Sequence, residues 1–307
     1  MIHVYVRGRL GNQLFQYAFV RMLQFHNPEQ RAVYHFEEVY SAGNQDQDFI
    51  NALKAFHVVG VNETNEQPHL SLAQRLLLRV YFFRYPHTAP IHVRTQYQMR
   101  WVKIMNSLGL YYLDLGYFPF DKKIKGDVIV SGNFESEKYF KEISSQILHE
   151  IVPIARISEN NQQMVSKMMS TQSVCLSIRR GDFVENPDVE NLHHVCSKAY
   201  YLRAVDYIRR HVSNPVLFIF SNDIAWVRQN LDFELETFYE SGADPSWEIL
   251  ELMSNCKHFI ISNSTFNWWA QYRGSYDHKI VVAPGRWFNS PFVPDIFLDN
   301  WVKLSVD

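Results

Sequence analysis

Short apolar runs alternate along the chain with longer segments in which apolar residues recur every three to four positions. The runs at 2–6, 128–131, 174–178, 216–220, 258–261 and 279–282 are continuous enough to be strands buried on both faces, as in a parallel sheet between helices. Helical spacing covers 12–25, 72–82, 135–150, 158–169, 198–211, 224–231, 247–255 and 265–272. Strand and helix follow one another in the order that builds parallel sheets, so the pattern predicts an α/β fold. A polar stretch at 155–163 is the best place to divide the chain. It separates domains at 1–154 and 155–307, each opening with strand, loop and helix, with the chain end free to pack back on the first. A length of 307 residues exceeds what one core usually supports, which also favours two domains.

Composition narrows the class. Hydrophobic residues at 47% and aromatics at 15% are ample for packed interiors, and a formal net charge of -2 argues against a nucleic-acid partner. The charge is nevertheless uneven. No Asp or Glu occurs between Gln67 and Leu113, where Arg75, Arg79, Arg84, Arg94, Arg100 and Lys103 fall among Leu76, Leu77, Leu78, Tyr81, Phe82, Phe83 and Trp101. Such a stretch is more often a helix with a solvated basic face than a peripheral surface for anionic lipid or a charged glycan, the other reading it allows. The cysteines Cys175, Cys196 and Cys256 are odd in number and lack CxxC spacing, which disfavours a disulfide framework and a zinc site and fits a reduced compartment. No charged leader or long apolar span is present, so a cytoplasmic enzyme, or one peripheral at the inner face of a membrane, is expected.

Three loops carry candidate chemistry. The first strand runs into Arg7, Gly8, Arg9, Leu10, Gly11, Asn12 and Gln13 before a helix. Glycines there let backbone approach a ligand, and a helix amino terminus offers N–H groups to an anion, although a tight structural turn explains the same residues. Neither GxGxxG nor a GK[ST] ending is present, and Glu37 and Glu38, near the end of a candidate second strand, are poorly spaced for a ribose-binding acid. The second loop follows the run at 174–178 and holds Arg179, Arg180, Gly181 and Asp182. Open α/β sheets bind ligands beyond the carboxyl ends of their strands, and guanidinium forks match phosphate oxygens; two solvated arginines closing a strand are the alternative. Asp182 either orients those arginines or receives a proton from a substrate hydroxyl. The polar segment 185–197, with Asp188, Glu190, His193 and His194, has the length of a substrate-covering loop. The third loop, Ser262, Asn263, Ser264 and Thr265, is either an ordinary helix cap or a cradle for a diphosphate.

Taken together, the segments GRLGNQLFQYAF (8–19), SIRRGDFV (177–184), VCSKAYYLRAV (195–205), FIFSND (218–223) and LMSNCKHFIISNSTFNWWAQY (252–272) resemble glycosyltransferase family 11, the α-1,2-fucosyltransferases, and most closely its bacterial members. The resemblance implies a GT-B fold, two Rossmann-like domains facing across a cleft, with the first on the acceptor side and the second holding GDP-fucose. It implies inverting transfer of L-fucose to a galactose 2-hydroxyl in an O-antigen or capsule type glycan, whose acceptor is a galactose-containing oligosaccharide, free or lipid-linked. No metal or other cofactor is implied, so cationic side chains must meet the departing diphosphate. Arg179 becomes the principal leaving-group stabiliser, supported by Arg180. Asn12 faces the phosphates or the fucose, Ser264, Thr265 and Phe266 line the nucleotide pocket, and Asp223 helps shape it. Asp182 and His194 are the candidates for the acceptor's base. The one DxD, Asp46-Gln47-Asp48, reads better as a solvated helix start than as a metal site.

Two positions depart from the family pattern. Ser177 stands where the arginine motif often begins with His. Ile249 stands where relatives tend to carry an acid that would read guanine, so either Glu248 or Glu251 takes over or the nucleotide differs. A same-fold transferase with another nucleotide sugar and a glycan-binding module without turnover are the competing functions.

Overall fold

The computed structural model describes residues 1–43, 46, 48–179, 192 and 195–306. The chain forms two compact units, Met1–Ile154 with Pro294–Phe297, and Ala155–Val293 with the chain from Leu298 onward. The change of unit after Ile154 falls where the apolar runs give way to the polar stretch at 155–163. Among the described residues no helix is long and apolar enough to cross a membrane.

The first unit is built on a parallel sheet of order β3-β2-β1-β5-β4, from β1 (Ile2–Tyr5), β2 (Ala32–His35), β3 (Asn62–Glu63), β4 (Leu110–Leu113) and β5 (Val128–Gly132). Helix α1 (Leu10–His26) follows β1 and is buried nearly all round, from Leu10 and Leu14 through Phe15 and Phe19 to Leu23, so it is the centre of this unit rather than a surface helix. Helix α2 (Glu37–Gly43) opens with Glu37 and Glu38 in its first turn; β2 has already ended at His35, so these acids favour a helix amino terminus instead of closing a strand. Helix α3 (Leu72–Phe83) starts at Ser71, whose hydroxyl accepts the Gln74 N–H while the Gln74 side chain accepts the Ser71 N–H, a capping box. Helix α4 (Ile91–Ser107) was not legible as a periodic segment because polar Gln and Arg residues interrupt its apolar positions.

The continuous helix expected over 135–150 is replaced by single turns at Glu137–Tyr139 and Lys141–Ile143 and a short α5 (Ser144–Glu150). Aromatic packing decides this. Phe134 is held at φ 52° with its ring stacked on Phe19 at 3.9 Å, and Phe140 meets Phe15 edge-on, so local helix geometry yields to the core. At Gly132 a Cβ would lie 2.1 Å from the Leu113 carbonyl oxygen, so only glycine permits β4 and β5 to pair there.

The second unit has a parallel sheet of order β11-β10-β9-β6-β7-β8, from β6 (Gln172–Ile178), β7 (Pro215–Ser221), β8 (Thr237–Tyr239), β9 (His258–Ile260), β10 (Val281–Pro284) and β11 (Val302–Leu304). Among the described residues its longer helices are α6 (Glu159–Ser170), α7 (Lys198–His211), α8 (Ile224–Asn230), α9 (Ser246–Ser254) and α10 (Thr265–Arg273). Val174, Leu176, Leu217, Ile219, Ile260 and Val282 from the sheet pack with Tyr200, Ala204 and Ile208 of α7 in one core. Cys175, Cys196 and Cys256 are buried free thiols.

Candidate active site

In the second unit, β9, β6 and β7 lie side by side and run the same way, so the loops that follow them emerge at one edge of the sheet. Those loops carry Ser262–Ser264, Arg179 and Asn222–Asp223, with Ser221 closing β7 and Thr265 opening α10. Ile178 pairs with Ser221, and Arg179 is the next residue out. Its Nη1 donates to Ser264 Oγ at 3.4 Å. Ser264 is the amino-terminal cap residue of α10, yet its hydroxyl caps none of the helix N–H groups and faces the guanidinium instead. A cation therefore stands at a helix amino terminus, two features that favour an anion at the same place.

The loop is held by a buried polar chain. Ser177 Oγ donates to Asn267 Oδ1 at 2.8 Å, and Asn267 Nδ2 donates to Ser262 Oγ at 2.6 Å. Asn263 Nδ2 donates to the Trp287 carbonyl at 2.9 Å, and the Ser264 N–H to the Ser262 carbonyl at 2.8 Å. Ser177, the departure from the family's His, thus joins β6 to the first turn of α10, a task a short buried hydroxyl can perform. Thr265 and Phe266, in that first turn, are half-buried. Asp223 caps α8, accepting the Trp226 N–H at 3.0 Å, while its own N–H donates to Ser221 Oγ at 3.0 Å. Arg180, Asp182 and His194 lie outside the described residues.

The acids beside Ile249 anchor helices. Glu248 Oε1 accepts the Ser158 N–H and Asn161 Nδ2, each at 2.7 Å, and so closes the start of α6. Burial would raise the Glu248 carboxyl, but these donors outweigh it and hold it below the usual range. Glu251 is ion-paired with Arg273 of α10. The expected transfer of base reading to one of these acids therefore competes with a structural use of each.

The first unit presents its own polar edge where β1, β5 and β4 end. Gly8, at φ 73°, turns the chain from β1 into α1, and a Cβ there would come within 2.9 Å of Asn12 Cβ. Gln13 ties this turn down: its Nε2 donates to the carbonyls of Gly8 at 2.9 Å and Ile50 at 2.8 Å, and its Oε1 accepts the Ala52 N–H at 3.0 Å. Arg7 donates to Asp114 and to Ser131, both at 2.7 Å. Asn12 Nδ2 donates to Glu135 Oε1 at 3.0 Å.

Glu135 was missed as a site residue and assigned to a helix. Burial, with the Asp114 carboxylate nearby, pushes its carboxyl up to about 8. It is consequently a neutral carboxyl at neutral pH, able to donate as well as accept. The signal available beforehand was its place just beyond the strand run at 128–131. Asp46 pairs with Arg9 and accepts the Asp48 N–H at 2.9 Å, so it closes a turn and is not the helix start expected. Among the described residues no group of three or more His, Cys, Asp or Glu is arranged to hold a metal ion.

A sequence model described as "Glycosyl transferase family 11" matches residues 1–305. The chain belongs to glycosyl transferase family 11. Among curated relatives of this family 11 glycosyltransferase, the alpha-1,2-colitosyltransferase of Escherichia coli is 34% identical over 198 residues, 61% of this chain and 67% of that protein. The O-antigen biosynthesis glycosyltransferase WbnK of Escherichia coli is 25% identical over 97% of this chain and 98% of its own. The galactoside alpha-(1,2)-fucosyltransferase 1 of Leontocebus fuscicollis is 26% identical over 99% of this chain and 75% of its own. Among solved structures, the α-1,6-fucosyltransferase NodZ co-crystallized with GDP aligns with TM-score 0.53 and 13% identity over 88% of this chain and 91% of that one. NodZ from Bradyrhizobium gives 0.52 and 14% over the same shares. With two parallel-sheet α/β units, the fold of the family 11 chain is of the GT-B class.

Proposed function

We propose that the protein transfers L-fucose from GDP-fucose, with inversion and without a metal, to the 2-hydroxyl of a galactose residue in a bacterial surface glycan such as an O-antigen. The observation that carries the reading is the meeting of Arg179 with Ser264 at the start of α10. Cleavage of the sugar–diphosphate bond leaves an anion while positive charge develops on the sugar, so a preorganised cation and helix N–H groups act on the leaving group. Arg180 supports Arg179, Thr265 and Phe266 line the nucleotide, Asp223 shapes the pocket, and Glu248 is the candidate contact to the base. Asn12 faces the sugar or its phosphates. Asp182 and His194 are the candidates for taking the proton of the acceptor hydroxyl. Names support the same direction: relatives are called α-1,2-fucosyl- and O-antigen transferases, and NodZ has been crystallised with GDP and soaked with GDP-fucose. The acceptor is read as a galactose-containing oligosaccharide, lipid-linked, met by the first unit on the cytoplasmic side of a membrane.

A second reading has specific support, because the relative at 34% identity is named a colitosyltransferase. Colitose resembles fucose without its 3-hydroxyl, so the same leaving-group machinery would serve both. The decisive experiment offers GDP-fucose, GDP-colitose and a UDP-sugar with galactosides in the presence of EDTA, followed by linkage analysis. A 1,2-linked fucoside is the expected product. Preference for GDP-colitose selects the second reading, transfer only from the UDP-sugar removes both, and loss with EDTA restored by Mn or Mg overturns the metal-free mechanism.

A further inference from the structure

Helix α3 has two apolar faces, and only one belongs to the core. Gln74, Leu77, Leu78 and Tyr81 point inward, where Tyr81 packs with Met105, Leu110 and Ile129, and Gln74 Nε2 donates to the Leu108 carbonyl at 2.9 Å. On the opposite side Leu72, Leu76 and Val80 repeat every fourth residue, and Phe83 extends the stripe to three turns; they are 66%, 55%, 44% and 87% exposed. A stripe of this kind is unusual on a surface that meets only water.

The charge around it has one sign. Arg75 and Arg79 lie one helical position to the side of the stripe and are exposed, as are Arg84 just past the helix and Arg100 and Lys103 on α4. Among the described residues none of these five takes part in an ion pair. No acid occurs anywhere between Gln67 and Leu113, in a chain whose net charge is -2. Exposed Phe and Leu beside unpaired arginines are what a helix lying in the plane of a bilayer requires: apolar side chains enter the acyl boundary and guanidiniums remain with lipid phosphates.

We infer that the outer face of α3, Leu72, Leu76, Val80 and Phe83 flanked by Arg75 and Arg79, docks the protein on an anionic phospholipid bilayer. Charge complementarity selects this occupant over a second copy of the chain, whose identical basic surface would be repelled. The inference concerns attachment rather than catalysis, so its test does not depend on the donor or acceptor.

The purified full chain is sedimented with phosphatidylcholine vesicles and with phosphatidylcholine vesicles containing phosphatidylglycerol. Binding is expected to the second and to fall as salt is raised. Leu76→Glu with Phe83→Glu should lower the bound fraction about tenfold or more, from the apolar area no longer inserted. Arg75→Gln with Arg79→Gln should reduce the preference for phosphatidylglycerol about tenfold. Transfer to a soluble acceptor should be unchanged in both, and their circular dichroism should match the parent; the arginine pair carries the test if the Glu pair does not fold. Absence of binding to phosphatidylglycerol vesicles, or binding indifferent to these substitutions, overturns the inference. So does a dimer that the Glu pair dissociates, since the face would then be a subunit contact.

Discussion

Arg179 depends on its neighbours for position. Ser177, two residues earlier in β6, holds Asn267 at the first turn of α10, and Ser264 from the adjoining loop receives the guanidinium. Removing the cation should therefore affect turnover more than folding. Arg179→Ala is expected to lower kcat about 100-fold or more, by analogy with deletion of an oxyanion donor. Unchanged kcat, measured with saturating donor, would remove Arg179 from the mechanism. Glu135 leads to a prediction in stability. Its carboxyl is raised from an unfolded value of about 4.3 to about 8. The folded protein holds this proton more tightly, so the contribution is complete below the unfolded value and is lost as pH rises through that window. Glu135→Gln keeps an oxygen for Asn12 and removes the titration. The melting temperature of the variant relative to the parent should climb between pH 5 and 8; a difference independent of pH would show that Glu135 is not neutral in the folded state.

At the scale of elements, α1 and α5 are joined by a nearly buried ion pair. Arg21 of α1 grips Glu150 at the end of α5 through Nε at 2.8 Å and Nη2 at 2.7 Å, and Tyr17 donates to the same carboxylate. The short α5 is thus fastened at its last residue, where local helix propensity is weakest. Glu150→Gln should destabilise the protein by about 3 kcal/mol, because Arg21 would be left as a buried charge with a neutral partner. Denaturant unfolding at neutral pH checks this, and a loss within experimental error would mean that water replaces the carboxylate. Long elements with clear periodicity were legible beforehand: Lys198–His211 coincides with the segment expected, and α1, α3 and α6 differ at their ends by one or two residues. Asn62–Glu63, Thr237–Tyr239 and Val302–Leu304 lie at sheet edges and carry no continuous apolar run, so two or three residues left no signal there, whereas His258–Ile260, as short but central and apolar, was legible.

Over the whole molecule, two parallel sheets present their loops at carboxyl edges, and each unit carries its candidate chemistry on adjacent strands. The α/β class, and the position of the arginine, GNQ and SNST segments just beyond strand ends, could be read from the chain alone, because strand burial, helix periodicity and loop composition are local properties of neighbouring residues. Which side chains meet could not. Ser177 with Asn267, Arg179 with Ser264, and Asn12 with Glu135 are separated by 90, 85 and 123 positions, and their pairing follows from strand order rather than from spacing. The same holds for the elevated carboxyl of Glu135 and for the outward stripe of α3. Both depend on what the fold buries and what it leaves exposed, and burial is a property of packed elements that no single segment specifies.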